Sequence, residues 1–162
     1  MRQLSRSARG LTLIELMVAL AIGAFLAMTA GPFFGDYVSN SRLREAGNTV
    51  YGEAMFAQSE AIKRNGVVRL SINGTSMRMI DRTTGVDGPL IRESTLTGNV
   101  IASPAVVLDF GSDGRPAPFG TSVATNFINA GMTCSSETRC PGLRVDAGGA
   151  IRLCGNHLSG CD

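Results

Sequence analysis

Arg9-Gly10-Leu11-Thr12-Leu13-Ile14-Glu15-Leu16 opens a stretch that decides how the rest of the chain is read. From Leu16 to Gly35 there are 20 consecutive residues without a charge, and Asp36 is the first charge after them. Twenty apolar residues in a helix match the hydrocarbon thickness of a bilayer. Arg2, Arg6 and Arg9 precede the run and no acid accompanies them. The positive-inside rule therefore puts the N-terminus in the cytoplasm and everything after Gly35 on the other side. Glu15 breaks the apolar pattern, and a carboxylate near the start of a membrane helix is costly unless it has a use. A position at headgroup level, where the cost is small, is the plainer account of it.

Outward from this run, the remaining composition agrees. The chain has 162 residues with 15 Lys and Arg against 13 Asp and Glu. Without the three leading arginines, 12 basic side chains face 13 acidic ones, so the body is not a strongly basic nucleic-acid binder. All four cysteines, Cys134, Cys140, Cys154 and Cys161, lie in the last 29 residues. That clustering points to disulfides in an oxidising compartment. Zinc fits less well, because the spacings are wider than the usual knuckles and His157 is the sole histidine. No metal site or cofactor is expected.

The same eight residues resemble the processing motif of type IV prepilins and type II secretion pseudopilins. The resemblance implies a leader of residues 1–10, cleavage by a prepilin peptidase between Gly10 and Leu11, N-methylation of Leu11, and Glu15 as the assembly carboxylate. Leu11 differs from the usual Phe but is apolar as well. Cleavage would free an amine at Leu11, and a neighbouring subunit's amine could neutralise Glu15 in an apolar bundle, where an unpaired charge is expensive. Ala19, Ala21, Gly23, Ala24, Ala27 and Ala30 would let such helices approach closely. Gly31-Pro32 should kink or loosen the helix, since Pro32 cannot donate to the ladder. A conventional signal peptide ending near Ala30 competes, but the run is long and the cleavage site poor; a plain single-span anchor is the other simple option.

Beyond Asp36 the period stays helical and becomes amphipathic: Leu43, Ala46, Val50, Ala54, Ala57 and Ala61 recur at three- and four-residue steps. Arg42, Arg44, Glu45, Glu53 and Lys63 mostly take the other face, Met55 and Phe56 read as core or interface filling, and Asn65-Gly66 is a helix stop. One helix from about Leu11 to Asn65 is expected. The period then changes to two at Val68, Leu70 and Ile72, Asn73-Gly74 turns the chain, and Met77 to Asp81 returns it. Further strands are expected at Leu90–Glu93, Val106–Phe110, Ser122–Ile128, Leu143–Val145 and Ile151–Cys154, with breaks such as Asp113-Gly114-Arg115-Pro116 between them.

The fold class is therefore α+β: a long N-terminal helix whose first half, residues 11–35, spans the membrane, packed on a small antiparallel head of residues 36–162. Ala57-Gln58-Ser59-Glu60-Ala61-Ile62 followed by Val67-Val68-Arg69-Leu70 resembles the FimT/GspH family of minor pilins and minor pseudopilins. That resemblance implies a subunit priming or capping a type IV pilus, or its counterpart in a type II secretion system. Other pilins or pseudopilins would be its partners, and the inner membrane, with a periplasmic head, its location before assembly. Some relatives bind DNA through a Gly-Arg-x-Arg element. Here the stretch is Gly149-Ala150-Ile151-Arg152, lacking the first arginine, which leaves Arg139, Arg144 and Arg152 as candidate DNA contacts.

Two strands joined around Ala147-Gly148 would set Arg144 opposite Arg152 and bring Cys140 near Cys154, leaving Cys134 for Cys161; three pairings are formally open. No enzymatic constellation is present: there is no phosphate loop, zinc helix or nucleophile elbow. Asp109, Asp113 and Asp146 lack the ligand density of a calcium loop.

Overall fold

The computed structural model describes residues 12–132 and 140–155. One helix, α1, runs Leu13–Arg64. Seven strands follow: β1 Val68–Gly74, β2 Ser76–Asp81, β3 Leu90–Thr95, β4 Val100–Phe110, β5 Val123–Asn129, β6 Gly142–Val145 and β7 Ile151–Cys154. They form one antiparallel sheet in the order β3-β2-β1-β4-β5-β6-β7. The chain divides into two units, residues 1–37 and 38–162.

In the first unit the helix exposes its apolar side chains on all sides; Leu13, Leu20, Phe25 and Met28 are each at least 65% exposed. Inside water such a helix has nothing to bury, which is the mark of a segment made for another apolar medium. Among the described residues no single helix is long and apolar enough to cross a membrane. The pair Leu13–Thr29 and Phe34–Arg64, broken at the four residues holding Gly31 and Pro32, satisfies length and composition together.

The second unit is built on the stripe the spacing predicts. Leu43, Ala46, Val50, Ala54, Ala57 and Ala61 are all buried, and four alanines in six positions let the helix lie close to the sheet. Against them stand Val68, Leu70 and Ile72 of β1, Met77 and Met79 of β2, and Leu108, Phe110, Phe127, Leu143 and Val145 beyond. Their alternation puts one sheet face on the helix. Asn65 ends α1 in the left-handed region at φ 51°. Its N–H donates to the Ile62 carbonyl and that of Gly66 to the Ala61 carbonyl, the pair of bonds that satisfies orphan carbonyls at a helix C-terminus.

Three expectations need correction. Glu53 does not lie on the open face: it is buried, with Arg92 Nε 3.2 Å from its carboxylate and the Ser94 hydroxyl donating to it at 3.2 Å. It ties the edge strand β3 to the helix. Of the two places expected for Met55 and Phe56, core and interface, the core is ruled out: both are exposed and Phe56 carries the Arg92 guanidinium 5.3 Å above its ring. Strand β4 begins at Val100, six residues before the expected start, and runs through Pro104. Pro104 fits because the ladder with β1 changes register there: Val106–Phe110 pair with Val68–Ile72 and Ala102 pairs with Gly74, while the pairing with β5 covers only Val100–Ser103. The β1 register shifts between Ile72 and Gly74 opposite that change, so the ladder does not require an N–H from the proline.

Candidate functional site

Two places carry the candidate residues. The first is the start of α1. Gly10 and Leu11 lie outside the described residues, but Thr12 and Glu15 do not. The Glu15 N–H donates to Thr12 Oγ1 at 3.3 Å, and Glu15 Oε2 accepts from both the N–H and the hydroxyl of Thr12 at 3.4 Å. The Leu16 N–H donates to the Thr12 carbonyl at 3.2 Å. Thr12 is thus the N-cap and Glu15 the third helical residue of a capping box, in which each side chain satisfies a backbone donor of the other. The Thr-x-x-Glu spacing of Thr12 and Glu15 is the sequence signal of this cap. The carboxylate also sits at the positive end of the helix dipole, which favours its charge.

The second place is the β6–β7 hairpin. Arg144 and Arg152 are directly opposed in its register, flanked by Leu143↔Leu153 and Val145↔Ile151. Opposed residues share a face, and Leu143 and Val145 are buried, so the arginines look away from the core. Arg152 spends part of its charge on Asp146, 3.2 Å away. Among the described residues Arg144 makes no ion pair. Arg139 lies outside the described residues, as do Cys134 and Cys161. Cys140 and Cys154 are both disulfide-bonded. Cys154 faces Gly142 rather than Cys140, so the hairpin register by itself does not set those two cysteines opposite each other.

The hairpin is locked to the helix by a residue that spacing did not single out. Gln58 Nε2 donates to the carbonyl of Gly149 at 2.9 Å and to that of Gly114 at 2.6 Å. Both glycines have positive φ, and a Cβ on Gly149 would stand 2.8 Å from the Gly114 oxygen. A second polar cluster fixes the loop between β2 and β3. Arg69 Nε and Nη2 donate to the two oxygens of Asp109 at 2.7 and 2.8 Å, and Arg82 Nη1 donates to the same carboxylate at 3.3 Å. Arg82 Nε stands 3.0 Å from Asp87 in an ion pair that lacks the alignment of a hydrogen bond. The hydrogen bond to Asp109, more than any other cause, raises the pKa of Arg69 above its ordinary value.

These arrangements hold the head together. Asp109 is taken up by two arginines, and Asp113 accepts from the Arg115 N–H at 3.1 Å in a turn. Among the described residues no three His, Cys, Asp or Glu side chains gather as a metal site.

An apolar helix started by a Thr–Glu cap and joined to a helix-backed antiparallel head defines a pilin-like filament subunit. Residues 5–31 match the prokaryotic N-terminal methylation motif. The head resembles the type IV minor pilin FimU of Pseudomonas aeruginosa in two crystal forms. The first gives a TM-score of 0.60 at 17% identity, covering 72% of this chain and 91% of that one. The second gives 0.56 at 18% identity, covering 68% and 90%. Over 45 residues the chain is 47% identical to fimbrial protein EcpC of Eikenella corrodens, a match spanning 28% of this chain and 29% of that relative's length. Residues 46–156 match the family described as type II transport protein GspH. The chain belongs to the GspH family of minor pilins and pseudopilins.

Proposed function

We propose that this chain is a minor subunit that primes or caps a type IV pilus. In this reading the prepilin peptidase cuts between Gly10 and Leu11, Leu11 is N-methylated, and the subunit waits in the inner membrane with its head in the periplasm. Glu15 then pairs with the amine of a neighbouring subunit, and the uncharged helix joins the filament core. The observation that carries the reading is the helical stretch from residue 13 to 35: an all-round apolar surface holding one carboxylate, Glu15, at its first turn. Such a surface needs lipid or other helices, and its lone carboxylate needs a cation. Recovery of the chain in sheared filaments, with Glu15→Ala trimmed normally but absent from them, is the expected result. Normal incorporation of Glu15→Ala would overturn the pairing.

The GspH family match favours a second reading, the equivalent pseudopilin of a type II secretion system. Deleting the gene and scoring surface filaments against protein export separates the two. A DNA-receptor role is a third reading, supported by the opposed Arg144 and Arg152. So few phosphate contacts would give weak, sequence-independent and salt-sensitive binding. If Arg144→Ala with Arg152→Ala leaves low-salt DNA binding unchanged, that role falls.

A further inference from the structure

Two turns of the head close on the start of its own stretch of helix. The Asn129 side-chain N–H donates to Ser39 Oγ. The Ala130 N–H donates to the Asn99 carbonyl at 2.7 Å and the Met132 N–H to the Asn129 carbonyl at 2.9 Å. A Cβ on Gly98 would stand 3.4 Å from Arg42 Cδ, so the arginine lies along the other turn. Met132 is 50% exposed, and among the described residues Arg42 makes no ion pair. This end of the head therefore offers one apolar side chain and one unclaimed guanidinium.

We propose that this rim, with Arg42 and Met132 as its contacts, docks on the phospholipid surface of the bilayer that holds the apolar helix. The proposal rests on the membrane reading above and adds where the head meets the lipid. Ser39 is four residues beyond Gly35, where the uncharged run ends. Four residues span about 6 Å in a helix and at most about 14 Å extended, and the headgroup layer is itself roughly 5–8 Å deep on each side. Chain length alone keeps the Ser39–Asn129 bond beside the headgroups. Side chains on a helix slope toward its N-terminus, so Arg42 leans back toward the run that enters the lipid. Its guanidinium offers paired donors to a phosphate, while its apolar stem can lie in the boundary. Met132 adds a flexible apolar side chain of the kind that fills irregular surroundings. Asp36 and Glu45 balance Arg42 and Arg44 in this stretch, so a phosphate contact carries the recognition and not a net positive field.

The chain contains no tryptophan, so a single introduced one reports its own surroundings. The full chain is reconstituted in vesicles of phosphatidylethanolamine and phosphatidylglycerol that carry a quencher on the headgroup or deep in the acyl chain. Three probes are compared: Met132→Trp at the rim, Phe25→Trp in the apolar helix, and Phe119→Trp. Phe119 is 74% exposed and lies under Arg115. The neighbouring Gly114 packs on Ile62, about 35 Å of helix beyond Ser39. Headgroup quenching of Met132→Trp well above that of Phe119→Trp is expected. Adding Arg42→Gln should lower the ratio of docked to undocked heads about fivefold, and Arg42→Lys should keep most of it. An unchanged ratio in Arg42→Gln would overturn the phosphate contact. Met132→Trp quenched no more than Phe119→Trp, while Phe25→Trp is quenched from the acyl chain, would overturn the docking and leave the membrane reading standing. Loss of the Phe25→Trp quenching would overturn that reading beneath it. Blue-shifted Met132→Trp emission that no lipid quencher reaches would put a second copy on the rim and overturn the proposal.

Discussion

Gln58, in the middle of the buried helix stripe, donates its side-chain N–H to the carbonyl of Gly149 across 91 positions of sequence. The same amide nitrogen reaches Gly114, so one side chain joins the helix to both turns at that end of the sheet. Gln58→Ala leaves two carbonyls without their donor. A loss of about 2 kcal/mol is expected, read as a lower urea midpoint of the detergent-solubilised chain with an unchanged slope. An unshifted midpoint would show that water replaces the amide at no cost.

Gly149→Ala should cost more than Gly114 or Gly149 would lose by flexibility alone. The substitution puts a Cβ at φ 89°, 2.8 Å from the Gly114 oxygen. Strain of this kind costs on the order of 1–3 kcal/mol, and the hairpin carrying Arg144 and Arg152 should loosen with it. Gly148→Ala, with open space around its Cβ, is the matched control and should unfold at a midpoint near that of the parent.

Acid should weaken the head. Glu60 is held below its usual carboxylate range chiefly by the Arg64 hydrogen bond, whose distance is 2.8 Å. Asp81 is held low chiefly by hydrogen bonds from Thr83. A depressed folded pKa means that the unfolded chain binds protons first. The stabilisation is therefore present above the ordinary carboxylate range and is lost as pH falls through the lowered values, below about pH 4. Urea midpoints should be level from neutral pH to about pH 5 and then fall. In Glu60→Gln with Asp81→Asn that acid fall should be shallower.

Much of the head was legible because its signals are local. The steps of three and four from Leu43 to Ala61 and the alternation at Val68, Leu70 and Ile72 each follow from one element's period. The Asn65-Gly66 stop is likewise a backbone property of two residues. The Arg144–Arg152 opposition was legible from turn length. The rest depends on partners distant in sequence. Pro104 argues against a strand unless the register shift between β1 and β4 beside it is known. Nothing near Glu53 shows that Arg92 and Ser94 will cover it. Gln58 reads as an ordinary polar helix residue until Gly114 and Gly149 come to it.

Gly10→Val should block processing, because the residue on the leader side of the cut is expected to require the absence of a side chain. The full-length precursor would accumulate in the membrane fraction and none would enter filaments. Correctly trimmed protein from that variant would remove Gly10 from the assigned site.

The central claim, that this is a peptidase-processed and methylated filament subunit, meets its most direct test in the intact mass of the protein extracted from membranes. The account predicts loss of residues 1–10, with Leu11 as the new terminus and one added methyl group. Loss of about 30 residues, the outcome of ordinary secretion, would contradict it, and so would a chain that keeps its first ten residues.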